Sequence, residues 1–249
     1  MTSGTTDPLA LAHALLCARV SGNRHDRSED PDRPETVQAM QIALHVPKAD
    51  PPRRTDLLAA AARAVVAVCL DDQVATDPAW RAGLEGWYSH LIRKVARRAR
   101  NKAWEDVQAV PGVTVDAAGA QARAFVPSAV GDTPALVRKL QIRGTELPQD
   151  APGEIDPGVP TILLDHGLAM TTGKAAAQVG HASMLLAARQ DLEWVRGWAA
   201  SGFGLNVREV DSRIFADHVR RPGVVTVRDA GFTEVAPDAL TVLAFPGVG

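Results

Sequence analysis

Aromatic residues are scarce in this chain: Phe, Trp and Tyr together make up 4% of its 249 residues. A core of ordinary size must therefore be filled by Ala, Val and Leu, which a hydrophobic content of 46% permits. Cysteine is scarcer still. Cys17 and Cys69 are the only two, without metal-ligand spacing and too few for a disulfide framework. That excludes a zinc module or a disulfide-stapled secreted scaffold and fits a reducing cytoplasm. Long apolar runs are missing too. The candidate "LALAHALLCARV" (9–20) is too short to span a bilayer. It follows Asp7 rather than a cationic region, so it reads as an amphipathic helix docking on the rest of the chain and not as a signal peptide. No membrane role is expected. The net charge of −2 does not decide for or against nucleic acid, because acidic stretches can mask a basic face.

Two stretches lack hydrophobic periodicity. "SGNRHDRSEDPDRPE" (21–35) is charged and contains Pro, as a tether does, and "GTELPQDAPGEIDPGVP" (144–160) is rich in Pro, Gly and acid. They divide the chain into an N-terminal helix and linker (1–38), a first unit (39–143), a linker (144–160) and a second unit (161–249). The units echo each other. Each opens on a short apolar run that reads as a strand, "MQIALHV" (40–46) and "TILLDHG" (161–167), and passes into an Ala-rich helix, "TDLLAAAARAVVAVCLDD" and "GKAAAQVGHASMLLAARQD". Ile42 matches Ile162 and Asp71 matches Asp191, both 120 positions apart, so the register holds without a gap. "WRAGLEGW" (80–87) then echoes "WVRGW" (194–198), "HLIRKV" (90–95) echoes "GLNVREV" (204–210), and "PGVTVDAAG" (111–119) echoes "PGVVTVRDAG" (222–231). The expected fold class is α/β: two related small sheet-and-helix units arising by tandem duplication, each a mixed sheet flanked by helices.

The units differ in their polar residues. In "TTGKAAAQVGHASM" (171–184), Lys174, Gln178 and His181 stand at i, i+4 and i+7, one face of a helix otherwise made of small residues. The first unit has Arg54, Leu58 and Ala61 at those places, and Ala117 where the second has Asp229. A solvated helix face is the plain alternative for the stripe. A phosphate-binding P-loop fits poorly: five residues separate Gly167 from Gly173 instead of four, and Ala175 stands where Ser or Thr would bind magnesium. A second polar group, Asp229 and Thr233, follows the apolar strand "VVTVRD" at the strand end where α/β sheets place ligands.

These residues carry a family resemblance. "GKAAAQVGHA" resembles the G-K-x-A-A-Q-x-x-H-A signature of the archaeal and eukaryotic type of peptidyl-tRNA hydrolase. "DAGFTEVAPDALTVL" is similar to that family's D-A-G-x-T-x-x-x-P-x-x-x-T-V-L, and "GLAM" upstream is similar to its D-L-x-M. The motifs fall in the family's order across residues 160–249. The resemblance implies a sheet flanked by helices and hydrolysis of the ester joining a stalled peptide to tRNA, with no metal or organic cofactor. It assigns the chemistry to Lys174 and Asp229, with Gln178, His181, Thr233 and Thr241 as further members. Asp229 is then expected to orient or deprotonate water and Lys174 to donate to the oxyanion. His181 can alternatively tie helix to loop, and Thr233 can simply close the Asp229 turn. The sequence departs from the family at "DSRIFADHVRR" (211–221), which stands in place of a full helix, at Asp238-Ala239 in place of Gly-Thr, and at Pro246-Gly247, which reverses the closing Gly-Pro.

"RKVARRARNK" (93–102) holds six cations and no acid. Read as a helix, it puts Arg93, Arg97 and Arg100 on one face suited to tRNA phosphates, or to plain solubility. The resembled family often forms homodimers. A duplicated chain meets that need internally, so a cytoplasmic monomer with pseudo-two-fold symmetry is expected, a non-catalytic tRNA- or ribosome-binding protein being the alternative.

Overall fold

A computed structural model of the protein describes residues 7–21, 28–229, 231 and 234–247. The first part holds α1 (Pro8–Ser21), β1 (Gln38–His45), α2 (Arg54–Cys69), α3 (Gln73–Thr76), α4 (Pro78–Tyr88), β2 (Arg93–Ala99), α5 (Asn101–Asp106), β3 (Gly112–Ala117), β4 (Ala120–Phe125), β5 (Ser128–Ala129) and α6 (Ala135–Arg138). The second holds β6 (Thr161–Asp165), α7 (Thr172–Arg189), α8 (Leu192–Ala200), β7 (Asn206–Val210), α9 (Ser212–His218), β8 (Val225–Arg228) and β9 (Leu240–Phe245).

Among the described residues the strands form two mixed sheets of the same order: β2-β1-β4-β3, with β5 also pairing β1, and β7-β6-β9-β8. Ile42 lies opposite Ala96 in a parallel pair and Ala124 in an antiparallel one. Ile162 lies likewise opposite Val207 and Ala244. Val113 and Val225 complete the correspondence, facing Ala124 and Ala244. A local device recurs as well: the indole of Trp87 donates to the carbonyl of Arg93, and that of Trp198 to the carbonyl of Gly204, each six residues on. The register corrects one detail of the sequence echo. Ala96, which lies just beyond residues 90–95, matches Val207, because hydrogen bonding to the central strand fixes the place.

Helices α2 and α7 lie between the sheets. Helix α2 packs on β1, β3 and β4 of its own unit and on β7 of the other; α7 packs on β6, β8 and β9 and reciprocally on β2. Side chains alternate across a strand, so Met40, Ile42, Leu44, Ile162 and Leu164 enter one shared core with both helices. Ala43 and Leu163 point the other way, into small outer clusters under α5–α6 and α9 respectively. Each fully buried Val, Leu or Ile contributes about 1.5–3 kcal/mol, so many modest residues replace a few aromatic ones. Small residues also bring the two helices close: Ser183 Oγ donates to Ala62 O at 2.7 Å, and a Cβ on Gly180 would lie 2.8 Å from Val65 Cγ2.

Helix α1 docks as expected, bridging both units: His13 Nε2 bonds Ala187 O at 3.1 Å and Arg19 donates to His90 O at 2.9 Å. The linker 144–160 has no helix or strand, yet it is tied to both middle helices. Asp150 accepts from Thr55 N at the start of α2, and Thr145 Oγ1 accepts from Gly173 N at the start of α7.

The basic run is corrected by the fold. Residues 93–99 form strand β2, parallel to β1, so Arg93, Arg97 and Arg100 share no helical face. Arg97 is buried and donates to Gln41 Oε1 and Leu140 O, Arg93 pairs with Glu29, and Arg100 donates to Val46 O. Pairing with β1, a long-range contact, overrides the local spacing of the arginines.

Candidate active site

After β6 the chain makes a tight turn in which Asp165 Oδ1 accepts from Gly167 N, and Ala169 takes a left-handed φ of 46°. Thr171 then caps α7: its hydroxyl accepts from Lys174 N at 3.1 Å, placing Lys174 in the first turn. Glu234 accepts in turn from Thr171 N at 2.9 Å and Thr171 Oγ1 at 2.8 Å. Gly173 N and Lys174 N are both bonded within the chain, to Thr145 Oγ1 and Thr171 Oγ1, so neither is held open for a phosphate.

Asp229 follows β8 beyond an irregularity between Val227 and Arg228. Its backbone is clamped on both sides, its N–H donating to Ala239 O at 2.9 Å and its carbonyl accepting from Asp238 N at 2.7 Å. Gly231 N donates to Asp229 Oδ1 at 2.8 Å. Gly231 has φ 78°, and a Cβ there would lie 2.5 Å from Pro237, so the turn admits only glycine.

The two segments meet at one carboxylate oxygen. Asp229 Oδ2 forms an ion pair with Lys174 Nζ and accepts from Gln178 Nε2 at 2.7 Å. Thr241 Oγ1 donates to Gln178 Oε1 at 2.7 Å, which fixes the amide with its NH2 toward Asp229. The side chains of Lys174 and Asp229 are only 10% and 8% exposed. Ion pairing at such burial is strong because little water screens it.

Lys174, Gln178 and Asp229 thus come together as expected. Thr241, expected to bind substrate, has no exposed surface here and donates to Gln178 instead. His181 shares the helix face but turns to the first unit, where its Nδ1 lies 2.9 Å from Lys94 Nζ. Burial, then the charges of Lys94, Lys174 and Arg19, hold His181 well below the usual imidazole range. Burial also pushes Lys94 well down, with its Nζ 3.2 Å from Met184 Sδ and 4.7 Å from the Trp87 ring centroid. Thr233 lies outside the described residues. Thr171 and Glu234 are not singled out by the sequence reading, although a Thr three residues before Lys174, ahead of an Ala-rich run, is an ordinary helix-start signal. Among the described residues no group of three or more His, Cys, Asp or Glu is placed to hold a metal ion, and no helix is long and apolar enough to cross a membrane.

Residues 159–247 match the family model described as peptidyl-tRNA hydrolase PTH2. The match runs from just before β6 to just after β9, and so takes in Lys174, Gln178, Asp229 and Thr241. The first unit lies outside it. No curated protein matches the chain.

Proposed function

We propose that the protein hydrolyses the ester between tRNA and a peptidyl or other N-blocked aminoacyl group, through Lys174 and Asp229. The carrying observation is the buried Lys174–Asp229 pair with Gln178 on the same carboxylate oxygen, inside the segment that matches the hydrolase family. Asp229 Oδ2 is occupied by Lys174 and Gln178, while Oδ1 accepts from Gly231 N and, with two lone pairs, has capacity for a water proton. Water held there attacks the ester carbonyl as Asp229 takes its proton. The Lys174 ammonium stabilises the oxyanion that forms. Collapse breaks the bond to the ribose oxygen, and the proton held by Asp229 passes to that leaving oxygen.

In this reading the first unit is a degenerate copy that stands where a second subunit would, and the chain works as a cytoplasmic monomer. Phosphate contacts fall to exposed cations near the start of α7 rather than to Arg93, Arg97 and Arg100. Arg138, Lys139 and Arg143 are exposed in the segment that leads to Thr145, which bonds Gly173. The test is release of the acyl group from N-acetylaminoacyl-tRNA. Lys174→Ala and Asp229→Asn are expected to lower kcat/KM by about 100–1,000-fold. Equal release by all three proteins, or none by the wild type, contradicts the reading; tight tRNA binding without release selects a non-catalytic binding protein.

A further inference from the structure

We infer that Arg54, in the first unit, is a positioning residue for the active site of the second. The inference rests on the hydrolase reading above. Arg54 follows Ile42 by the same twelve positions that separate Lys174 from Ile162, so it holds the lysine's place in its own unit. In the alignment of the two units Ala117 stands where the second has Asp229, so the counterpart of that carboxylate is missing. Arg54 reaches out of its unit instead. Nε and Nη2 donate to the two oxygens of Glu209, each at 2.7 Å, in the forked geometry that fits a guanidinium to a carboxylate. Nη1 donates to Thr172 Oγ1 at 2.6 Å, and Nη2 also donates to Met170 O at 2.9 Å. Arg54 is 4% exposed.

Met170 and Thr172 flank Thr171, the residue whose hydroxyl caps Lys174 N. One planar group therefore ties strand β7 to both neighbours of the cap. Linker residue Leu147 reinforces the hold, its N–H donating to the same Thr172 hydroxyl at 2.9 Å. Stability alone gives no reason for an arginine here, because a buried ion pair replaced by apolar residues of similar volume is often neutral or better. What apolar residues cannot supply is directional bonding to four acceptor atoms on three residues at once, and lysine's single nitrogen cannot reproduce the planar fork that grips both carboxylate oxygens. Arg54 touches no substrate. Its removal acts on where Lys174 sits, and small misplacements of a reacting group cost about 10²-fold in rate.

The test uses the full-length chain with N-acetylaminoacyl-tRNA, comparing wild type with Arg54→Met/Glu209→Leu and Arg54→Lys. The double variant is expected to keep a Tm near that of wild type, to lose about 10–100-fold in kcat and to hold KM within about twofold. Arg54→Lys, with its charge kept and its fork lost, is expected to fall between. Glu209→Gln serves if the double variant does not fold, since it keeps the shape and weakens the grip. The NMR signal of the Lys174 side-chain carbon next to Nζ gives a readout without turnover: it is expected to shift in the double variant. Unchanged kcat in a stable double variant overturns the inference. If the wild type itself releases nothing, the hydrolase reading fails separately, and an unmoved Lys174 signal then overturns the positioning role on its own.

Discussion

Lys174 and Arg54 occupy the same place in two units of the same strand order, and what each does depends on the carboxylate it can reach. Lys174 finds Asp229 inside its own unit; Arg54 finds Glu209 in the other. Lys174 and Asp229 were legible in the sequence as members of one site, through the motifs that resemble the hydrolase family, although their ion pair was not. The pairing of Arg54 with Glu209 was not legible, because nothing local in either segment points across the 155 positions between them. The same distance effect hid the partner of His181. Lys94 lies 87 positions away, and only the packing of α7 on β2 brings the two together. This pair carries a pH prediction. Around it stand Arg19 from α1, Cys69 from α2 and Lys174 from α7, besides Met184 and Trp87. The folded values of His181 and Lys94 are both lowered, so the unfolded chain binds more protons in the windows below 6.5 and below 10.5. Stability contributed there rises with pH and is lost on acidification. Removing both partners together leaves neither buried and unpaired. Lys94→Met/His181→Leu is therefore expected to be at least as stable as wild type at pH 7 and to show a flatter dependence between pH 5 and 9, by urea unfolding. An unchanged slope contradicts the placement of the pair.

Helices, strands and their order were readable where a single period dominated. Strand β1 falls at Gln38–His45 around the expected 40–46, and α7 starts at Thr172, one residue after its Thr cap. Segment 93–99 is a strand and not a helix for a physical reason. Its apolar residues are few and small, so its charges carried the pattern, and the ladder with β1 decided the outcome. The linker 144–160 read as a spacer because its composition has no period; its order comes from side chains such as Thr145 and Asp150 bonding the two helix starts. The contact between α2 and α7 holds these parts in one frame, and Gly180 is a point of it where an added Cβ would meet Val65. Replacing a helical glycine by alanine gains about 1 kcal/mol of helix propensity, while overpacking costs about 1–3 kcal/mol. With Val65 Cγ2 only 2.8 Å from the added Cβ and Lys94 Cδ at 3.3 Å, a larger side chain has no room. Gly180→Leu is expected to destabilise the protein by about 3 kcal/mol in urea unfolding. A change below about 0.5 kcal/mol contradicts the close packing described.

For the whole molecule, the two sheets enclose α2 and α7 so that each helix packs on both, and the shared core contains residues of both units. An arrangement of that kind leaves the middle helices no exposed flank to offer a second copy, and it ties a unit outside the family match to the unit that carries Lys174 and Asp229. The proposal is one chain with one active site, working as a monomer. The most direct measurement is centrifugation of the active species, in which the sedimenting band is located by the N-acetylaminoacyl-tRNA deacylation it carries. The expected result is a single active band at the monomer mass of 26.4 kDa. Activity confined to a band of twice that mass, or a protein band that carries no activity, contradicts it.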